Sequence, residues 1–347
     1  MRRLLLPLMA LALALVPVPS TVVERVYAAG WYSHLQPLLT GASNLAGFAW
    51  LDPLIVLGSA AVLIGGSWAW RRVGGPWWRR MANALLVLLQ AGAGLYVAFL
   101  VLWGFNYRRT PAVERLQVSP ARVTADRLAR LASRAVMQVN ALHDPARSQA
   151  RLTGDALVAT MAPAFAQAQD LLGSTWRMTP ARPKTSFIAR TFPLSGVDGM
   201  MNPFGLEVIL NPEVLPFERP YVLAHEWAHL AGHAPESEAS FVAFLACLHG
   251  PRDMQYSGWL DVLLHALRAL PAPARRDALD AIGSGPRADL RAIDARLRRV
   301  RPAVHQVSWS VYDQYLRANR VASGVADYGE VLTLVLGSRL IAPAVDR

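Results

Sequence analysis

Long hydrophobic runs dominate the first hundred residues of the chain. They cover residues 4–19, 53–70 and 84–103. At a rise of 1.5 Å per residue, the second and third runs are long enough to cross a ~30 Å hydrocarbon core, and neither has a polar face. A soluble bundle with two very apolar helices is therefore the less favoured alternative. The first run is shorter and contains Pro7 and Pro17, so it is either an uncleaved span, which we favour, or a signal peptide.

The pattern becomes periodic after residue 105. Apolar positions at helical spacing predict two amphipathic helices between residues 119 and 172. Two short strands are predicted at Lys184–Ala189 and Leu206–Leu210, and helices resume at Pro220. The residues that predict turns between the strands are Gly196, Gly199, Asn202, Pro203 and Gly205. We expect a mainly α fold with a small β-sheet, in which three transmembrane helices (residues 1–104) precede one domain (residues 105–347).

Charge supports a membrane protein and not a nucleic-acid binder. The chain has 35 Lys and Arg against 24 Asp and Glu, and no basic run is interleaved with aromatic residues. Arginines flank the apolar runs at positions 2, 3, 71, 72, 79 and 80. By the positive-inside rule, the loop between the second and third runs faces the cytoplasm and the domain after residue 105 faces outward. A second group, Arg296–Arg301, is interpreted as solvated surface.

The single cysteine limits the chemistry further. Cys247 excludes an intrachain disulfide and a cysteine-rich metal cluster, and its apolar neighbours predict an inert buried thiol.

The strongest chemical signal is His225-Glu226-Trp227-Ala228-His229, on a predicted helix that ends near Gly232. Four residues correspond to about one turn, so the two imidazoles share a face and can bind one Zn²⁺. Glu226 is offset by about 100° and is placed to act as a base on water beside the metal. This pattern predicts zinc-dependent amide hydrolysis.

The residues alone leave several candidates for the third zinc ligand. Pro235 occupies the position where the metzincin pattern has its third histidine, which excludes that family. His233 is a minor candidate because it lies beyond the helix end. Glu236 and Glu238 are better candidates, since Pro235 is suited to the start of a new helix that returns a carboxylate to the metal. Glu236-Ser237-Glu238-Ala239-Ser240 resembles the Glu-x-x-Ala-Asp/Asn segment of gluzincin-type membrane peptidases, which implies that Glu236 is the ligand and Glu238 an orienting group or an alternative ligand.

The sequence also offers candidates for substrate binding and for stabilising an oxyanion. The strand before the metal helix, within residues 199–211, is expected to form the edge of a cleft that pairs with extended substrate. The candidate donors to an oxyanion are Tyr256, His265, Tyr315 and Tyr328, of which Tyr256 is nearest in sequence to the motif.

Taken together, these segments resemble the family of bacterial membrane proteins known as "domain of unknown function 3810". The segments that carry the resemblance, besides the three N-terminal runs, are Trp103–Arg108, His225–His229, Glu236–Phe241, Tyr256–Gly258 and Gly324–Gly329. Ser240 stands where relatives are expected to have Asn. The resemblance implies a zincin-like fold and a peptidase.

The sequence therefore predicts a multi-pass protein of a bacterial inner membrane with an extracytoplasmic zinc peptidase domain. Its expected partners are one Zn²⁺, a peptide or protein substrate and the lipid bilayer, with no nucleic acid. The alternative is a non-enzymatic envelope protein with a structural or vestigial zinc site.

Overall fold

A computed structural model describes residues 4–148, 152–319, 321 and 330–345 of the chain. The N-terminal helices are α1 (Leu5–Leu15), α2 (Ser20–Val22), a π-helix (Val23–Tyr32), α3 (Ser33–Asn44), α4 (Leu51–Arg72) and α5 (Trp77–Leu102). The helices before the sheet are α6 (Ala112–Arg115), α7 (Ala125–Arg147) and α8 (Gly154–Leu171). The later helices are α9 (Phe192–Ser195), α10 (Arg219–Leu230), α11 (Glu236–Leu248), α12 (Arg252–Ala269), α13 (Ala272–Asp280), α14 (Ser284–Leu297), α15 (Pro302–Ala318), α16 (Val331–Gly337) and α17 (Ala342–Val345). The strands are β1 (Pro183–Lys184), β2 (Gly199–Asn202) and β3 (Glu207–Leu210).

Two of the three predicted spans are single helices. Helices α4 and α5 are long and apolar enough to cross a membrane, and they pack against each other. The predicted first span, residues 4–19, is interrupted: α1 ends at Leu15 and the chain then bends by 110° into the segment Ser20–Asn44, and the pair is a third candidate span only if it is counted as one. Pro17 is the physical reason, since a proline disfavours helical backbone at the residue before it, and Val16 is extended.

The segment from α2 to the start of α4 packs against the domain that follows α5. Tyr27 and Tyr32 lie in the same buried apolar cluster as Trp227 of α10, and the Tyr32 hydroxyl donates to the Leu230 carbonyl at 2.8 Å. Residues 20–50 were predicted as part of the membrane anchor. Their packing instead joins them to the domain that begins near residue 105.

The β-sheet has three short strands among the described residues, and one of the two predicted strands differs from its prediction. Within the described residues its order is β1-β3-β2, with β1 parallel and β2 antiparallel to β3. The predicted strand at Leu206–Leu210 is confirmed as β3. The predicted strand at Lys184–Ala189 is wrong beyond Lys184, because a 3₁₀ turn follows at Ile188–Thr191. Gly199 and Asn202 belong to an edge strand and not to a turn.

Helices α10 and α11 occupy the centre of the domain. Nearly all of their side chains are buried, which is typical of helices surrounded by other elements. Helix α10 packs against α11, α12 and the sheet, while α11 also contacts α8 and α16. The Trp227 indole stands edge-on to Phe165 of α8 at 5.6 Å and donates to the Ala181 carbonyl at 2.9 Å. The motif helix is therefore held rigidly from several sides.

Candidate metal centre

The first turn of α10 is fixed by α12. Pro220 lies in that turn, where its missing N–H costs nothing. The Ser257 hydroxyl accepts from the Tyr221 N–H at 3.0 Å and donates to the Glu218 carbonyl at 3.2 Å. Gly258 allows α12 to approach α11 closely, since a Cβ there would lie 2.5 Å from Cys247 Cβ. Ser257 thus supports the start of the motif helix.

The end of α10 is fixed by the chain that leaves α5. Gly232 has φ of +85°, which favours glycine at a helix end, and a Cβ there would lie 2.7 Å from atoms of both Asn106 and Arg109. The Trp103 indole donates to the His229 carbonyl at 3.0 Å, and the two rings meet edge-on at 6.2 Å. The prediction that the motif helix ends near Gly232 is confirmed, since α10 ends at Leu230.

Three side chains converge at the start of α11. His225 Nε2 lies 3.0 Å from Glu236 Oε2 and 3.2 Å from His229 Nε2, and His229 Nε2 lies 3.5 Å from the same carboxylate oxygen. Of the described residues, this trio is the group of His, Cys, Asp and Glu side chains that could hold a metal ion. Atoms bound tetrahedrally to zinc at ~2.0–2.1 Å are separated by ~3.3 Å, so the three distances fit three ligands of one tetrahedral zinc ion.

The chemistry of the three atoms also fits a cation. His229 Nδ1 lies 2.8 Å from the His233 carbonyl, which can only accept, so this nitrogen carries the proton and Nε2 has a free lone pair when the ring is neutral. The Glu236 carboxylate likewise only accepts. Several acceptors facing one point require a shared proton or a cation between them.

The electrostatics favour positive charge at this point. Burial lowers the pKa of His229, but the Glu236 carboxylate and, more weakly, Glu226 outweigh it and raise this pKa to about 9. Burial raises the pKa of Glu236, but the two imidazoles hold it well below its ordinary value. Glu236 is therefore a carboxylate, ready to act as a ligand.

Further side chains orient the trio. Ser240 Oγ lies 3.3 Å from His225 Nδ1, so this serine hydrogen-bonds and orients the His225 ring from the position where an asparagine was expected. The Tyr312 hydroxyl of α15 donates to Glu236 Oε1, which leaves Oε2 for the histidines. Tyr312 stacks on Tyr315 at 5.8 Å. Sequence reasoning missed Tyr312, which is 76 residues from Glu236 and carries no local signal of its role.

Glu226 lies beside β2 and within electrostatic reach of all three side chains of the trio. Burial raises the pKa of Glu226, while the imidazoles and a hydrogen bond from the Met201 backbone lower it, with a net increase. A Cβ at Gly199 would lie only 2.6 Å from Glu226 Oε1, so glycine lets the edge strand reach the carboxylate. β2, which belongs to the segment predicted to form a cleft edge, therefore lies beside Glu226.

The structure does not bring the alternative candidates together with the trio. Glu238 accepts from the Ala112 N–H at 2.6 Å and from Arg115 at 2.8 Å. The His233 ring faces the same Arg115 and Glu238. The Tyr256 assignment needs correction, since this buried side chain donates to Asp289 at 2.7 Å.

The remaining oxyanion candidates are placed as follows. His265 faces Asp261 of its own helix, and Tyr315 packs against Tyr107. Tyr328 and the segment Gly324–Gly329 lie outside the described residues. Cys247 is buried, as predicted, and burial raises the pKa of its thiol.

Comparison with known proteins identifies the family. The family model described as "Protein of unknown function (DUF3810)" matches residues 27–336 of the chain. The chain belongs to the DUF3810 family. No curated protein and no solved structure matches it. In this DUF3810 member, Trp103–Arg108, His225–His229 and Glu236–Phe241 all contribute contacts to the candidate metal centre.

Proposed function

We propose that the protein is a membrane-anchored zinc-dependent peptidase in which His225, His229 and Glu236 hold the metal. The observation that carries the proposal is the convergence of their ligand atoms at 3.0, 3.2 and 3.5 Å. A zinc ion held there would supply Lewis-acid chemistry and lower the pKa of a water toward ~7.

The chain supplies the proton transfer. Glu226 is a buried carboxylate, and burial raises its pKa in the direction that strengthens a general base. It takes a proton from the attacking water and delivers it to the leaving nitrogen of the amide. The edge of β2, whose Met201 backbone contacts Glu226, is suited to pair with an extended substrate.

The loop between α4 and α5 bears on which side of the membrane the metal centre lies. Residues 73–76 connect α4 and α5, with arginines at the ends of both helices. By the positive-inside rule this connection lies on the cytoplasmic side of a bacterial inner membrane. Helix α5 then delivers Trp103 and the metal centre to the extracytoplasmic side.

The test compares two glutamate variants of the purified full-length protein. We expect Glu226→Gln to keep one bound zinc and to lose about 10²–10⁴-fold in turnover of a fluorescence-quenched mixed peptide library. Glu114→Gln, an exposed change on α6, is the matched control and should behave as wild type. Wild-type turnover by Glu226→Gln, or no turnover by the zinc-loaded wild type, would contradict the proposal.

A further inference from the structure

The segment between α1 and α4 exposes an unusual series of large apolar side chains. They are Val22, Val26, Trp31, Leu38, Leu45 and Phe48, and their exposed fractions are 45%, 64%, 51%, 71%, 89% and 56%. The first intervals, of four and five residues, match the wide turns of the π-helix, and the next two, of seven residues, match two turns each of α-helix. The first five side chains therefore lie along one side of the segment.

In α3 the side opposite Leu38 is polar and faces the protein, whereas the π-helix before it buries the apolar and aromatic side chains Val23, Tyr27, Ala28 and Tyr32. Gln36, Thr40 and Ser43 are buried. Gln36 Nε2 donates to the Thr179 carbonyl at 2.9 Å, and the Thr40 hydroxyl donates to the Leu206 carbonyl at 2.6 Å. In α3 this arrangement is the reverse of that of a soluble surface helix, so its exposed apolar side is suited to an apolar partner.

The position of the segment identifies that partner. It follows α1 after a 110° bend and ends at the first turn of α4, so it runs between two helices of the apolar N-terminal bundle. Helix α1 packs on α5, and Arg108, just beyond α5, donates to the Leu13 carbonyl at 2.7 Å. The Trp31 indole donates to the carbonyl of Val101, in the last turn of α5, at 3.0 Å. Tryptophan is enriched at the depth where a spanning helix leaves the lipid.

We propose that residues 22–48 rest in the interfacial layer of the bilayer and hold the metal centre at the lipid surface. The connection to the centre is short: Trp103 follows the last residue of α5 directly and bonds the backbone of the metal helix at His229. The substrate class that this location selects is a polypeptide tethered to the membrane and cut close to the lipid. This substrate class rests on the proposed peptidase function.

Spin labelling tests the lipid contact without any peptidase assay. Cys247 is fully buried, so a nitroxide reagent will label an introduced cysteine selectively. We compare Leu38→Cys with Met137→Cys, which lies on the exposed face of α7 beside Ser133 and Asn140, in phosphatidylcholine/phosphatidylglycerol vesicles. The Leu38 label should be several-fold more accessible to oxygen, relative to a water-soluble nickel complex, than the Met137 label. Equal ratios, or strong dipolar coupling between Leu38 labels of two copies, would overturn the proposal.

A second comparison tests the substrate class. A peptide selected from the quenched library is attached to a lipid anchor through either a short or a long flexible Gly/Ser spacer and incorporated with the protein into vesicles. We expect faster cleavage with the short spacer. Equal rates for both spacers, or cleavage of neither anchored peptide, would overturn the substrate class alone. A library that yields no cleaved peptide would overturn it together with the proposed function and leave the spin-label result standing.

Discussion

A buried ion pair joins the sheet to the start of α4, and its removal has a calculable cost. Lys184 of β1 and Glu207 of β3 lie 3.1 Å apart, with side chains 4% and 1% exposed. Glu207 also accepts from the backbone N–H groups of Trp50 and Leu51 at 2.9 and 2.8 Å, which places a carboxylate at the N-terminus of α4. Asn202 of β2 donates to it as well, at 2.8 Å.

Glu207→Gln removes the charge and leaves Lys184 without its counter-ion. Breaking a buried pair on one side costs about 3–5 kcal/mol, a large part of the ~5–15 kcal/mol that stabilises a typical domain. At about 2–4 °C per kcal/mol for a domain of this size, the midpoint of thermal unfolding should fall by roughly 6–20 °C. Tryptophan fluorescence of the protein in nanodiscs reports the transition.

Two controls separate the effect of the buried ion pair from general effects of substitution. The double variant Lys184→Met/Glu207→Gln should be less destabilised than the sum of the two single changes, with a coupling of about 0.5–3 kcal/mol. Arg299→Ala breaks a pair with Glu213 in which the arginine is 65% exposed, and it should cost less than about 1 kcal/mol. Additive single effects of that small size at Lys184 and Glu207 would refute the reasoning.

Three further predictions concern acid stability and the candidate centre. Burial raises the pKa of Glu207, but its hydrogen bonds outweigh burial and hold the pKa below its ordinary 4.5. The stabilisation that Glu207 contributes is therefore present above pH 4.5 and lost as the pH falls through the lowered pKa. Acid unfolding of wild type should be steeper than that of Glu207→Gln, and identical acid profiles would contradict this. Gly199→Ala places a Cβ 2.6 Å from a flexible carboxylate oxygen of Glu226, so turnover should fall about 10–100-fold while zinc content and unfolding temperature stay near wild type, and unchanged turnover would argue against Glu226 as the base. Tyr312→Phe removes a hydrogen bond to Glu236 and should weaken zinc binding about tenfold in a competition titration with a chelator, whereas unchanged affinity would show that Tyr312 does not position the ligand.

The features that sequence predicts well here depend on local spacing. The two histidines are one turn apart on a helix that ends at Leu230, two residues before Gly232, and a proline precedes the next helix with Glu236 in its first turn. Helices α4 and α5 follow from uninterrupted apolar runs. In each case the physical cause lies within a few residues of the feature.

The features that sequence missed depend on distant partners. Arg296 was interpreted as solvated surface, yet its side chain is 8% exposed and bridges Asp198, beside β2, to Glu218, beside α10. Tyr312 reaches Glu236 across the fold, and Tyr256 turns to Asp289. Charge and hydroxyl groups have the same local signature whether they are solvated or paired, so only the fold separates the two cases.

X-ray absorption spectroscopy of the purified protein tests the central claim most directly. We predict one zinc per chain, bound by two imidazole nitrogens, one carboxylate oxygen and one light-atom ligand from solvent, at ~2.0–2.2 Å. His225→Ala should lose this signal, while Glu238→Gln should keep the same ligand set because Glu238 pairs with Arg115. A wild-type protein that binds no zinc, or a closed site with a third imidazole from His233, would contradict the account.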